Sequence, residues 1–272
     1  MDAPLHSLDP STCHDDEQTH FLDRLACRSR SFAGVLARHG RDHVAGEGAQ
    51  RRAGAWPVRR RLVLDRGHCA LAGRRAQCDV GAKSADHAAG SGRLGAALLD
   101  RQDGPTVLVG HSFSGMIVTE AGVHPNVSAL VYVAARAPDA DEDYTALAKT
   151  YPTPPASAGI VFDGDEGRLS EEAFLRDFAG DLPEAKAKVL YAVQQPFHKQ
   201  LLAGKVSHAA WRSKPSYYAV STEDRTINPD LERFMAKRMG ATTIEVKASH
   251  LALISQPDAI ARLILDAAGQ SK

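Results

Sequence analysis

Thr106-Val107-Leu108-Val109-Gly110-His111-Ser112-Phe113-Ser114-Gly115-Met116-Ile117-Val118 reads as a strand, a sharp turn and a helix. The first four residues are a β-branched, apolar run of the kind that fills a buried strand. Met116 to Glu120 can continue as a helix. A serine at the apex of such a strand-to-helix turn is a nucleophile elbow. The turn is strained and crowded, so it needs small residues on both sides of the serine. Gly110 and Ser114 fill those places, with Ser114 standing where the usual pattern has glycine. The string is weak evidence alone and strong evidence once an acid and a histidine follow it.

Both follow. Ser216-Tyr217-Tyr218-Ala219-Val220-Ser221 is aromatic and β-branched, with Pro215 before it, and reads as a strand. It ends in Thr222-Glu223-Asp224-Arg225. Asn228-Pro229 then opens a helix that runs to Gly240. A second strand, Thr242 to Val246, ends in Lys247-Ala248-Ser249-His250, and a last amphipathic helix spans roughly Gln256 to Ala268. Asp224 and His250 therefore each lie just past the carboxyl end of a strand, the edge of a parallel sheet where functional groups converge. Asp224 competes with Glu223, expected in solvent, and with Asp230, expected in the first turn of its helix. His250 competes with His111, His198 and His208. The His111 side chain should point away from the turn apex and pack. His198 and His208 are expected to line a pocket or to be solvated.

The chain order Ser, Asp, His resembles that of the α/β-hydrolase superfamily. Gly-His-Ser-Phe-Ser-Gly, Ser-Thr-Glu-Asp-Arg-Thr-Ile-Asn-Pro and Ser-His-Leu-Ala-Leu-Ile-Ser-Gln-Pro are similar to blocks of its small bacterial esterases, relatives of plant methylesterases and hydroxynitrile lyases. The resemblance covers about Gly104 to the C-terminus. It implies a mainly parallel sheet flanked by helices, with a helical cap inserted near residues 138–212 of a core spanning 97–272. It also implies Ser112 as nucleophile, His250 as general base, Asp224 as the orienting carboxylate and the Phe113 backbone N–H as one oxyanion donor.

These residue types suit acyl transfer to water. A serine hydroxyl attacks only when a base takes its proton, imidazole does so near neutral pH, and a carboxylate fixes the imidazole tautomer. The expected substrate is a small-molecule carboxylic ester, with no cofactor and no metal. Rival readings are a carbon–carbon lyase of the hydroxynitrile type, a cofactor-free haloperoxidase and a non-catalytic ligand-binding homologue. The lyase branch carries a lysine after the histidine, and here Leu251 stands there. Phe162, Phe174, Phe178, Tyr191, Phe197 and Trp211, with Leu190, are candidates for lining a pocket, although packing within the cap is the stronger expectation for most. Asp181 reads as the N-cap of a helix from Pro183 to Ala192.

Formal charge is zero, so composition implies no nucleic-acid partner. No apolar run is long enough to span a membrane. The averages hide a break, however. All four cysteines and seven of the twelve histidines precede residue 101, and no isoleucine, tyrosine or asparagine occurs among residues 1–100. That composition suits early strands poorly. The superfamily's first strand ends in a His-Gly pair whose loop supplies the second oxyanion N–H. Gly67-His68 has the reverse order and follows only the short run Leu62-Val63-Leu64. Residues 1–96 are therefore expected to be anomalous and poorly ordered, with about His20 to Arg93 translated out of frame. One allowed reading of the shifted frame contains a buried strand ending in His-Gly and an amphipathic helix. Farther upstream it permits an Ala-, Ser- and Thr-rich run suited to an export signal, whereas the chain as written has no signal peptide and reads as cytoplasmic. The chain as written is expected to be poorly soluble and weakly active.

Overall fold

Six parallel strands form the main sheet, in the spatial order β2-β1-β3-β4-β8-β9. They are β1 (Arg61–Asp65), β2 (Cys78–Gly81), β3 (Thr106–Ser112), β4 (Val127–Ala135), β8 (Ser216–Ser221) and β9 (Thr242–Val246). This is a computed structural model, which describes the backbone of β1 and β2 and, save residues 96 and 103, residues 95–270. All described residues fall within one unit, Ala55–Lys272.

Alternation along the strands builds two cores. Val107, Val109, Ala129, Val131 and Val133 face one side, where α7 (Pro257–Ala267) covers them with Ile260, Leu263 and Ile264. Leu108, Leu130, Tyr132, Tyr218 and Val220 face the other. Val118 of α1 (Ser114–Ala121) and Leu231 and Met235 of α5 (Pro229–Arg238) cover that side. A sheet buried on both faces needs apolar residues at consecutive positions, which is why β3 and β4 read as continuous runs. α5 starts as its sequence predicts, with the Asn228 side chain accepting the Asp230 N–H at 2.9 Å.

The fold is thus α/β, with a parallel sheet between helices. Leu62-Val63-Leu64, expected to be too short and too charged-flanked for an early strand, lies in β1 and pairs with both β2 and β3. A central position supplies ladder partners on both sides, so a weak local pattern can still be held extended. Gly67-His68 and most of the segment expected to be out of frame lie outside the described residues.

Between β4 and β8 runs an inserted segment. It holds α2 (Tyr144–Ala148), α3 (Glu171–Ala173) continuing as a π-helix over Phe174–Phe178, and α4 (Glu184–Ala192). It also holds a three-stranded antiparallel sheet of β5 (Ile160–Asp163), β6 (Glu166–Leu169) and β7 (Phe197–His198), which a reading of the segment as helix misses. The overlooked signal is Gly164-Asp165, the two-residue loop between the paired Asp163 and Glu166, with glycine at its first position at φ 59°. Trp211 ties the end of the segment to the core by donating to the Pro138 carbonyl at 2.9 Å.

Gly115 lets α1 lie against the end of β4, because a Cβ there would sit 2.0 Å from the Arg136 carbonyl oxygen. Gly115→Ala is expected to cost roughly 1–3 kcal/mol or more of stability, the scale of overpacking. A urea midpoint unchanged from wild type would contradict that close approach. The reading-frame expectation is checked on the gene itself: compensating insertions or deletions should flank the segment, and an uninterrupted ordinary frame removes it.

Candidate active site

Ser112 ends β3 with φ 56°, a left-handed conformation rare for a residue with a side chain. The surroundings force it. A Cβ on Gly110 would meet Val118 Cγ2 at 2.6 Å and the Ser114 carbonyl oxygen at 2.8 Å. The Arg136 N–H donates to the Ser112 carbonyl at 3.0 Å, across a register shift between His111 and Ser112. Small residues at 110 and 115 thus let strand, turn and helix close on one another, and the serine takes up the strain.

Asp224 sits in the turn after β8, 5% exposed. Its Oδ1 accepts the N–H groups of Thr226 at 2.6 Å and Ile227 at 3.0 Å. Its Oδ2 accepts from His250 Nδ1 at 2.6 Å. Burial works to raise this carboxyl, but its interaction and hydrogen bond with His250, and the Thr226 N–H, hold it below the usual carboxylate range. The carboxylate therefore accepts at both oxygens, and His250 carries its proton on Nδ1. His250 Nε2 is left with a lone pair, buried and without a hydrogen-bond partner among the described residues. Ser112 Oγ makes no hydrogen bond to it. Hydrogen bonds of this kind are often long without substrate and tighten in the complex.

His250 is fully buried between two rings. The His111 imidazole lies 4.7 Å away and the Phe178 ring 4.9 Å away. His111 was expected to point away from the turn and pack. It does pack, against the His250 ring, and its Nε2–H also donates to the His250 carbonyl at 2.8 Å, a contact that no local pattern announces.

The inserted segment reaches the same loops. Phe178 ends the π-helix, a distortion common at functional sites. Its carbonyl accepts the Ser249 hydroxyl at 3.2 Å. Asp181, predicted as an N-cap, instead accepts from Ser249 Oγ, and α4 begins after Pro183 with no side-chain cap. The tertiary partner beside His250 outcompetes the local one. Asp177, its side chain buried, joins Arg225 Nε at 2.7 Å and Arg176 at 2.9 Å.

The competing residues go elsewhere. Glu223 is exposed, 3.6 Å from Lys247, and Asp230 pairs with Arg233 at 2.8 Å. His208 meets Glu120 at 3.0 Å, and His198 lies 3.6 Å from Asp165. Phe174 packs with Phe178 and Tyr191, Phe162 with Phe197, and Trp211 in the core, so Phe178 alone of those six aromatics touches His250. Leu251 is buried among Ala156, Leu169 and Phe174, which places no cation after the histidine. Among the described residues no group of His, Cys, Asp and Glu is arranged to hold a metal ion, and no helix is long and apolar enough to cross a membrane.

A model of the α/β hydrolase family matches residues 35–263. The chain belongs to that family. The match extends upstream of Gly104, where the motif resemblance begins. The α/β hydrolase nvfD of Aspergillus novofumigatus (strain IBT 16806) is 26% identical over 180 residues, 61% of this chain and 70% of that one. Polyneuridine aldehyde esterase superposes with a TM-score of 0.65 at 16% identity, covering 77% of this chain and 99% of the other. A pyrethroid hydrolase from Sphingobium faniae JZ-2 gives 0.60 at 20% identity, covering 77% and 96%. At these identities the structural likeness is one of fold.

Asp177 links the inserted segment to the loop that carries Asp224. Asp177→Asn is expected to lose roughly 1–3 kcal/mol, because Arg225 and Arg176 lose a charged acceptor. Calorimetry at neutral pH should show the lower unfolding temperature. The gap should narrow in acid: Arg176 and Arg225, working against burial, hold the Asp177 carboxyl low, so its contribution is present above the ordinary aspartate range and fades as pH falls through the depressed value.

Proposed function

We propose that this protein is a serine hydrolase acting on small carboxylic esters through an acyl-enzyme intermediate. Ser112 is the nucleophile, at the apex of a nucleophile elbow. His250 Nε2 takes its proton during attack and returns it to the leaving alcohol. Asp224 fixes the Nδ1–H tautomer and stabilises the imidazolium. The Phe113 N–H, at the amino end of α1, is one oxyanion donor, placed where the helix dipole favours negative charge. The family's second donor, which follows its first strand, is not read in this sequence, and Gly67-His68 lies outside the described residues. The inserted segment is the cap, and Phe178 is its contribution to the roof over His250.

One observation carries this reading. The buried Asp224–His250 bond leaves a single imidazole nitrogen as base, on the sheet edge where a strained serine ends β3. Esterases and a pyrethroid hydrolase among the structural neighbours are consistent with it. Family membership makes hydrolysis the expected reaction class, and the buried apolar setting of Leu251 favours the ester reading over the lyase one.

Turnover of p-nitrophenyl acetate, weak in the chain as written, should be abolished in Ser112→Ala; in an intact site a triad member is worth about 10⁴-fold or more. A fluorophosphonate probe should label one peptide, the one containing Ser112. Turnover that survives Ser112→Ala, or a label on another residue, would remove the assignment.

A further inference from the structure

Behind Asp224 lies a second carboxyl that the mechanism does not use. Glu232, on α5, is fully buried. Its Oε2 accepts the Ser221 N–H at 3.1 Å. Ser221 is also the base of the Asp224 turn, since the Asp224 N–H donates to the Ser221 carbonyl at 3.2 Å. Glu232 and Asp224 are thus both tied to the Ser221 backbone, one to its N–H and the other, through its own N–H, to its carbonyl. Its Oε1 is buried and accepts from no donor among the described residues.

Two buried carboxyls held against one turn do not readily ionise together. Asp224 is the one that keeps its charge, because it accepts from two backbone N–H groups and from His250 Nδ1. Glu232 has one backbone donor and no cation set against it. Arg233, next on the helix, turns outward to Glu245 and Asp230. Tyr218 on β8 and Tyr144 on α2 complete the charged and titratable surroundings. Both phenols stay neutral at working pH: burial above all raises them, Tyr144 to about 12. Arg136 stacks 4.8 Å over the Tyr144 ring.

We propose that Glu232 is a positioning residue of the site: as a neutral acid it donates its proton-bearing oxygen to Asp224 and fixes that carboxylate against His250. This rests on the serine-hydrolase reading for its kinetic consequence, but not for the protonation of Glu232. Burial first, and then the Asp224 charge, push the Glu232 carboxyl well above its ordinary value, in keeping with that state.

Three preparations test it: wild type, Glu232→Gln and Glu232→Leu. Gln keeps a neutral donor of the same shape, whereas Leu leaves Asp224 and the Ser221 N–H without their partner. Leu should lower kcat by about tenfold to a hundredfold, the scale of one lost hydrogen bond to a charged group. KM should change little, and the midpoint of the acid limb of kcat/KM should rise, because an Asp224 with fewer donors attracts the imidazolium more strongly. Gln should restore most of the rate, with the acid limb where wild type has it. If Glu232 is ionised instead, Gln removes a negative charge near the imidazolium and the acid limb drops by about one unit; that result overturns the proposal. So does a Leu variant with wild-type kcat.

The infrared carbonyl band of a protonated carboxyl, measured in wild type at neutral pH and lost in Gln, reads the proton directly. Its absence overturns the proposal whatever the kinetics. Should Leu fail to fold, the Gln pH profile and the band still decide. Failure of the hydrolase reading shows differently, as no Ser112-dependent turnover in any preparation.

Discussion

An imidazole and a carboxylate, buried together and joined at 2.6 Å, set the terms for everything around them. Taking a carboxylate out of water costs several kcal/mol unless its oxygens find donors. Asp224 finds three, two of them backbone N–H groups of its own turn. Those N–H groups are in place only if β8 delivers the turn at the right height and α5 starts directly behind it. His250 is in place only if β9 pairs with β8 in register, from Tyr217 with Thr242 to Ser221 with Val246. A slip of one residue would turn both loops over and leave a buried charge unpaired. The sheet register and the chemistry are therefore one constraint.

The inserted segment adds a second layer of dependence. It reaches the histidine through Phe178, the residue before it through Asp181 and the Phe178 carbonyl, and the acid's loop through Asp177 and Arg225. Any movement of this segment away from the sheet removes a wall of His250 and a cation's partner together. The orientation of the proposed base depends on these few contacts.

How much of this was legible beforehand varies with how local the cause is. Ser216–Ser221 and Thr242–Val246 occur as read, because each is a β-rich run closed off by its own proline, turn or glycine. The serine's turn was legible for the same reason: small residues at 110, 114 and 115 are a steric requirement written in the chain. Asp224 and His250 could be picked out by their offset from strand ends. The strand at Arg61–Asp65 was undervalued, since its pairing with two neighbours outweighs a poor local pattern. The small antiparallel sheet was lost in a segment read for helical spacing.

Spacing along the chain was enough for individual strands, the helices after them and three polar residues at strand ends, since strand length, helix start and turn sterics act over a few neighbouring residues; the parallel sheet and the roles of those residues were implied by the family resemblance. Three-dimensional packing had the last word wherever two partners compete for one group. Asp181 left its helix for Ser249, His111 turned to the His250 carbonyl, and Glu232, which in sequence resembles any surface glutamate on a charged helix, was carried beneath Asp224. Those outcomes turn on desolvation and on which donor lies within reach, and contacts between residues far apart in sequence exist only once the chain has folded.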